Sequence, residues 1–146
     1  MAGVIIPTSL PKFSYTGTYT TELRKDWGWV IRFTSSGTLI FTEDQTIDIS
    51  ILAGGGSGGS GNASVGGGGG GGWQTIKYGV SVTAGEEYPI VVGSGGQGAI
   101  GRSNTGGTSS AFGFTAAGGN GGGFGDSSST WAQGGAGGTG VGGTRG

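Results

Sequence analysis

Apolar and polar residues alternate through most of the first fifty positions. In "KFSYTGTYTTEL", Phe13, Tyr15, Tyr19 and Leu23 share one parity, with serine and threonines between them. A period of two, rich in aromatic and β-branched residues, predicts strand. "RKDWG" (Arg24 to Gly28) reads as a turn, and "WGWVIRF" then places Trp27, Trp29, Ile31 and Phe33 on one face. "TSSG" (Thr34 to Gly37) and "EDQ" (Glu43 to Gln45) are further turns, with the short strand "TLIFT" between them. "TIDISIL" alternates again, Ile47, Ile49 and Ile51 one way and Asp48 and Ser50 the other. Short strands joined by tight polar turns predict an antiparallel meander or small sandwich. No window carries a helical period with caps, so no helices are expected.

Beyond Leu52 the pattern breaks. Of 41 glycines, only Gly3, Gly17, Gly28 and Gly37 precede this border. The composition therefore divides the chain into a β-rich attachment or assembly segment, 1–52, and a glycine-rich domain, 53–146. Compact apolar islands interrupt the glycine tracts. In the largest, "WQTIKYGVSVTAGEEYPIVVG", Ile76, Tyr78, Val80 and Val82 share a parity, "TAGEE" makes a turn, and Tyr88, Ile90 and Val92 share the next parity. This predicts a β-hairpin inserted among the tracts. Later islands are smaller: Phe112 with Phe114, then Phe124, then Trp131.

A glycine tract is by default a flexible linker, because fixing a backbone costs about 1–2 kcal/mol per residue and glycine is the most expensive residue to fix. Two features oppose that reading here. Large apolar residues punctuate the tracts, and the tracts recur throughout one small chain instead of forming a single joint. Without a Cβ, backbones can lie against one another. Polyproline II strands have three residues per turn and leave every N–H and C=O free for neighbours, and weak Cα–H···O contacts add to the bonds between them. "GGNGGGFG" and "GGAGGTGVGG" can be read in triplets with glycine at most inward positions. Collagen shares the period but needs strict Gly-X-Y and plentiful proline, and this half contains only Pro89. The expected fold is mainly β: a meander or sandwich followed by a glycine-rich polyproline II bundle (a polyglycine sandwich) with an inserted hairpin. On this reading the seven glycines Gly66 to Gly72 form a structural strand, which Trp73 ends.

Charge and reactive side chains narrow the function. The seven basic residues are scattered and the net charge is −1, so no stripe matches a phosphate backbone and nucleic acid is not an expected partner. A polybasic membrane patch is absent, and no apolar run is long enough to insert in a bilayer. "MAGVIIPTSLPKF" lacks a basic n-region and is broken by Pro7 and Pro11, so no signal peptide is expected. With no cysteine and no histidine, disulfides, thiolate nucleophiles and imidazole bases are excluded. No nucleophile and base come together, so the chain is not expected to be an enzyme, and no cofactor or metal is implied. "GSGGQG" (Gly93 to Gly98) matches the dinucleotide-binding pattern, but no helix opens after it and the next acid is Asp126. The sequon at Asn62 is read as incidental. The pairs Glu43/Asp44 and Glu86/Glu87 would suit calcium or a glycosidase, but both sit where strands reverse and read as solvated turn residues.

Taken together, "TIDISILAGGG", "GGGGGGGWQTIKYGVSVTAGEEYPIVVGSGGQG" and "GGTSSAFGFTAAGGNGGGFG" resemble the glycine-rich domain of bacteriophage tail-fibre and receptor-binding (adhesin) proteins. The likeness covers about Thr38 to Gly146. It implies an ordered glycine-rich sandwich at a virion extremity, whose exposed loops bind a host surface. Other virion proteins and host-surface carbohydrate or outer-surface protein are the partners it implies. Release by lysis would then place the protein in the virion or outside the cell. No stalk or coiled-coil segment is present, and the family supplies no contact residues by position.

The candidate surface-binding loop is "FGDSSSTW", with Phe124, Asp126, Ser127, Ser128, Ser129 and Trp131 presenting aromatics and hydroxyls; the alternative is a satellite core contact. Trp27, Trp29 and Trp73 are the candidate assembly contacts, with core positions as the alternative for the first two. A side-chain-poor domain needs partners to bury its islands, so a homo-oligomer or fibre is expected. The competing function is a self-assembling glycine-rich filament or sheet, since unpaired backbone templates the addition of another copy. A third option, ice binding, is disfavoured because "TSS", "SNT" and "SSST" form no regular threonine row.

Overall fold

The computed structural model describes residues 9–59, 66–98 and 103–123. Nine strands follow in order: β1 (Phe13–Tyr15), β2 (Tyr19–Arg24), β3 (Gly28–Phe33), β4 (Gly37–Phe41), β5 (Gln45–Leu52), β6 (Gln74–Val82), β7 (Glu87–Ile90), β8 (Ser109–Ala111) and β9 (Phe114–Ala116). The fold is mainly β, every strand pairing is antiparallel, and no helix occurs among the described residues. The strands form small sheets: β1-β4-β7, β2-β3, β5-β6 and β8-β9.

The connectivity is not a simple meander. The predicted first strand splits into β1 and β2 at Gly17, where the chain crosses residues 35–37. A Cβ at Gly17 would lie 2.7 Å from both Ser35 Oγ and the Ser36 carbonyl. The crossing frees β2 and β3 to pair as a separate hairpin, Tyr19 opposite Phe33 through Arg24 opposite Gly28, while β1 pairs with β4. At the base of this hairpin the Tyr15 hydroxyl donates to the Ser35 carbonyl at 2.5 Å, and burial pushes the phenol above its ordinary pKa. Trp27 does not continue the β3 face, as its parity predicted. It sits in the turn, 82% exposed, because Gly28 at φ 80° resets the alternation. A core position for Trp27 is thereby excluded.

The predicted hairpin over residues 74–92 is also corrected. Its two strands and its turn are present, with Gly85 at φ 76°, but β6 pairs with β5 and β7 pairs with β4. The turn is tied to the corner between β4 and β5 instead. Gly85 N–H donates to the Phe41 carbonyl at 2.8 Å, and Ala84 N–H donates to the Asp44 carboxylate at 2.9 Å. The two turns thus stack, and each of their strands finds its partner across the corner. In β6 a bulge opposite Asp48 reverses the side-chain alternation. Gly79 there has φ 64° and donates to Asp48 Oδ1 at 2.9 Å, and Tyr78 turns outward.

β8 and β9 close on a two-residue turn with φ of 52° at Phe112 and 79° at Gly113. Positive φ at both positions matches the right-handed twist of the flanking strands. The Phe112 ring packs 5.0 Å from Tyr88, which holds a bulky residue in that conformation. The core draws on all of these sheets but the β2-β3 hairpin: Leu39 and Phe41 from β4, Ile49 and Ile51 from β5, Val82, Ile90, Ala111 and Ala116. Two of the pairings, β4 with β7 and β5 with β6, join residues on either side of Leu52.

Candidate functional site

Each core strand beyond residue 44 continues into a glycine segment or follows one. β5 runs into 53–59, 67–73 runs into β6, β7 leads to 93–98, 103–107 leads to β8, and β9 runs into 117–123. These segments bond to one another at intervals of three residues. Ala53, Gly56 and Gly59 N–H donate to the carbonyls of Trp73, Gly70 and Gly67 at 3.0, 2.8 and 2.9 Å. Gly67, Gly70 and Trp73 N–H donate in turn to Gly123, Asn120 and Ala117 at 2.7, 2.8 and 2.9 Å. Gly119 and Gly122 N–H donate back to Gly54 and Ser57 at 2.9 and 2.8 Å.

The 53–59 segment is central, since it also bonds to 93–98 through Gly96 N–H on the Gly55 carbonyl and to 103–107 through Gly54 N–H on the Gly107 carbonyl. No β-ladder would give a spacing of three; a strand alternates its bonds with a period of two. At the inward positions the packing leaves no room for side chains. A Cβ at Gly56 would overlap the Asn120 carbonyl, at Gly72 the Ala53 carbonyl, and at Gly119 the Gly70 carbonyl. At Gly68 and Gly71 a Cβ would meet nothing within 4 Å.

Sequence reasoning overlooked two serines that complete this layer. Ser57 is 8% exposed and Ser109 3%. Ser57 Oγ accepts from Asn104 N–H at 2.8 Å, and Ser109 Oγ accepts from Gly93 N–H at 2.9 Å. Ser57 stands among glycines and Ser109 between Thr108 and Ser110, so no local signal sets them apart from solvated hydroxyls. Ser57→Ala removes the buried hydroxyl that accepts from the Asn104 N–H, so a loss of about 0.5–1.5 kcal/mol, the net worth of one hydrogen bond, is expected. Ser94→Ala, at an exposed position, is expected to change stability by less than about 0.5 kcal/mol. Urea unfolding of the two variants makes the comparison.

The sequence-predicted contacts separate in space. Trp73 is partly buried against the core, while its N–H and C=O join three glycine segments. Trp29 lies on β3, and among the described residues its Nε1–H is buried without an acceptor. Trp27 stands in solvent at the β2-β3 turn. The loop with Phe124, Asp126, Ser127, Ser128, Ser129 and Trp131 lies outside the described residues. Of the acid pairs, Asp44 accepts from the Ala84 N–H and Glu86 from the Tyr88 hydroxyl at 3.2 Å, while Glu87 opens strand β7 opposite Ile40. No group of three potential metal ligands occurs among the described residues.

A β core prolonged by a layer built from backbone alone defines a scaffold in which glycine is the structural residue. The chain belongs to the glycine-rich domain family, whose model matches residues 34–146. Neither curated proteins nor solved structures gave a significant match.

Proposed function

We propose that this chain is a non-enzymatic virion protein of a bacteriophage, at the tail tip or fibre, and that it binds a host-cell surface. The bonded glycine segments act as polyproline II strands of a rigid bundle, and the β-rich N-terminal segment attaches the bundle to other virion proteins. The observation that carries the reading is the three-residue bonding interval across a layer whose inward positions have no room for a Cβ. Such a layer spends sequence on a stiff spacer and frees its connecting loops to vary, the division of labour that suits an adhesin. The order of motifs from "TIDISILAGGG" to "GGTSSAFGFTAAGGNGG" supports the same reading. The ligand is host carbohydrate or an outer-surface protein, met outside the lysed cell.

Fluorescently labelled chain applied to a panel of bacterial strains is the test. Saturable binding to particular strains, lost when their surface polysaccharide or surface protein is stripped, is the expected result. A folded chain that binds no strain but grows into particles with a regular axial repeat would favour the filament instead.

A further inference from the structure

The central 53–59 segment has three sides, because a polyproline II backbone turns once every three residues. On one side Ala53, Gly56 and Gly59 N–H donate to 67–73, and on the next Gly54 and Ser57 N–H donate to 103–107. Gly55 and Gly58 form the third side. Both are exposed, and their N–H groups have no acceptor among the described residues. The 93–98 segment borders this side, with its Gly96 N–H on the Gly55 carbonyl at 2.8 Å.

The bordering segment is barer than its own packing requires. At Gly93 and Gly96 a Cβ would overlap the Gly107 and Asn104 carbonyls, so glycine is obligatory there. At Gly95 a Cβ would meet only the Gly55 carbonyl, at 3.9 Å, and at Gly98 nothing within 4 Å. Neither residue has a left-handed φ. Alanine would fit both places and would restrict the unfolded chain, yet both are glycine. Two donors three residues apart, beside two bare positions three residues apart, make a seat for one more strand of backbone.

We infer that this seat is taken by residues 134–146 of the same chain, which lie outside the described residues. Their pattern fits it. Gly134, Gly137, Gly140, Gly143 and Gly146 place glycine at every third position, and Ala136, Thr139, Val141, Thr144 and Arg145 all fall on the other two phases. That suits a strand with one side against backbone and two in solvent. The 66–72 run, which bonds to two neighbours, is by contrast glycine throughout. The length fits too. At about 3.1 Å per residue, 134–146 extends about 40 Å, against about 22 Å for 53–59. The chain can also reach. The 117–123 segment leaves the layer at the end away from the β core, where Gly123 accepts from Gly67 N–H. Residues 124–133 span at most about 35 Å, ample to pass round the adjacent 53–59 segment and turn back. The family match continues to residue 146, so the segment belongs to the same domain as the layer. Seated there, it would close 124–133 into a loop held at both ends, and the layer would present Phe124, Asp126 and Trp131 from a fixed base.

The inference rests on the polyproline II reading of the described segments and is independent of host binding. Amide exchange in the full-length chain tests it. Gly55 and Gly58 should exchange at least about tenfold more slowly than an unstructured glycine amide. Gly140→Val puts a side chain on the phase that faces the seat and should speed both amides by at least about tenfold. Gly138→Val, on the phase that already carries Val141, should leave them within about twofold. Gly95→Ala narrows the seat from its other wall and should act like Gly140→Val. Gly56 and Gly70, bonded inside the layer, should stay protected throughout. Free exchange at Gly55 and Gly58 beside protected Gly56 and Gly70 would overturn the inference and leave the layer standing, as would equal effects of Gly138→Val and Gly140→Val. Protection at Gly55 that rises with concentration between about 10 and 500 µM would also overturn it, because mass action would then put a second copy in the seat. Free exchange at Gly56 and Gly70 in the wild type would remove the layer reading itself, and the inference with it.

Discussion

Gly56→Ala is expected to unfold the glycine layer, whereas Gly55→Ala, one residue earlier, should leave the protein as stable as before or slightly more so. The two substitutions are chemically identical and differ only in direction. At Gly56 a new Cβ overlaps the Asn120 carbonyl, and Gly119 lies just behind it. Those atoms are backbone, and Asn120 is itself held by the Gly70 N–H, so no side chain can rotate out of the way. Overpacking of a tight core typically costs about 1–3 kcal/mol, and occasionally more. Here a whole strand must shift, and about 3 kcal/mol or more is expected, a large part of the roughly 5–15 kcal/mol that holds a typical domain together. At Gly55 the added Cβ would sit 3.5 Å from the Gly70 carbonyl, an ordinary contact, and φ there is outside the left-handed region. Alanine at such a site narrows the unfolded ensemble and is worth about 0.4–1 kcal/mol. Urea unfolding followed by circular dichroism reads both values. Coincident midpoints for the two variants would mean that the close approach at Gly56 is not what orders the segment.

Much of the β architecture was legible because side-chain alternation is a local signal. Ile47, Ile49 and Ile51 announced β5, and the short run "TLIFT" announced β4. What alternation cannot report is which strand pairs with which. The run from Ile76 to Ile90 has the pattern of a hairpin, yet its halves join different sheets, because the Asp44 carboxylate and the Phe41 carbonyl capture the turn between them. Those bonds are made across forty residues of chain and leave no periodic trace. Local parity failed at Trp27 and Tyr78 for a related reason. A glycine with positive φ follows each one: Gly28 closes the turn that holds Trp27, and Gly79 sits in the bulge that offsets Tyr78 from Val80 and Val82. The role of the glycine tracts was legible in kind, as ordered backbone with a three-residue interval. Their neighbours were not: a sequence of identical residues carries no information about register. Ser57 and Ser109 were overlooked because a buried serine and a solvated one look alike in a tract.

That absence of register leads to the last expected result, that Leu39→Ala will melt the glycine layer together with the β core. Leu39 is 1% exposed, the largest side chain to be fully buried, and sits between Tyr15 and Tyr88 in the β1-β4-β7 sheet. Its truncation should cost about 2–5 kcal/mol, the range for a buried leucine that leaves a cavity. Only Ala53 and Trp73, at the ends of two glycine segments, reach the same core with a side chain, so the bonds further along an independently stable layer would be indifferent to the change. The layer is not independent. A one-residue slip along a bare backbone meets no side-chain penalty, whereas a slip in a strand moves every apolar residue from the core to solvent. The strands therefore set the register that the glycine segments inherit. Leu52 opposite Gln74 in β5-β6 continues directly into Ala53 on Trp73, then Gly56 on Gly70 and Gly59 on Gly67. β9 passes its own register to 117–123 through Trp73 on Ala117. Amide exchange of Gly56, Gly70 and Gly119, whose N–H groups are bonded inside the layer, should accelerate in Leu39→Ala by the same free energy that urea unfolding reports for the sheets. Glycine amides that keep their wild-type protection in that variant would show that the layer holds its own register, and that the β core does not template it.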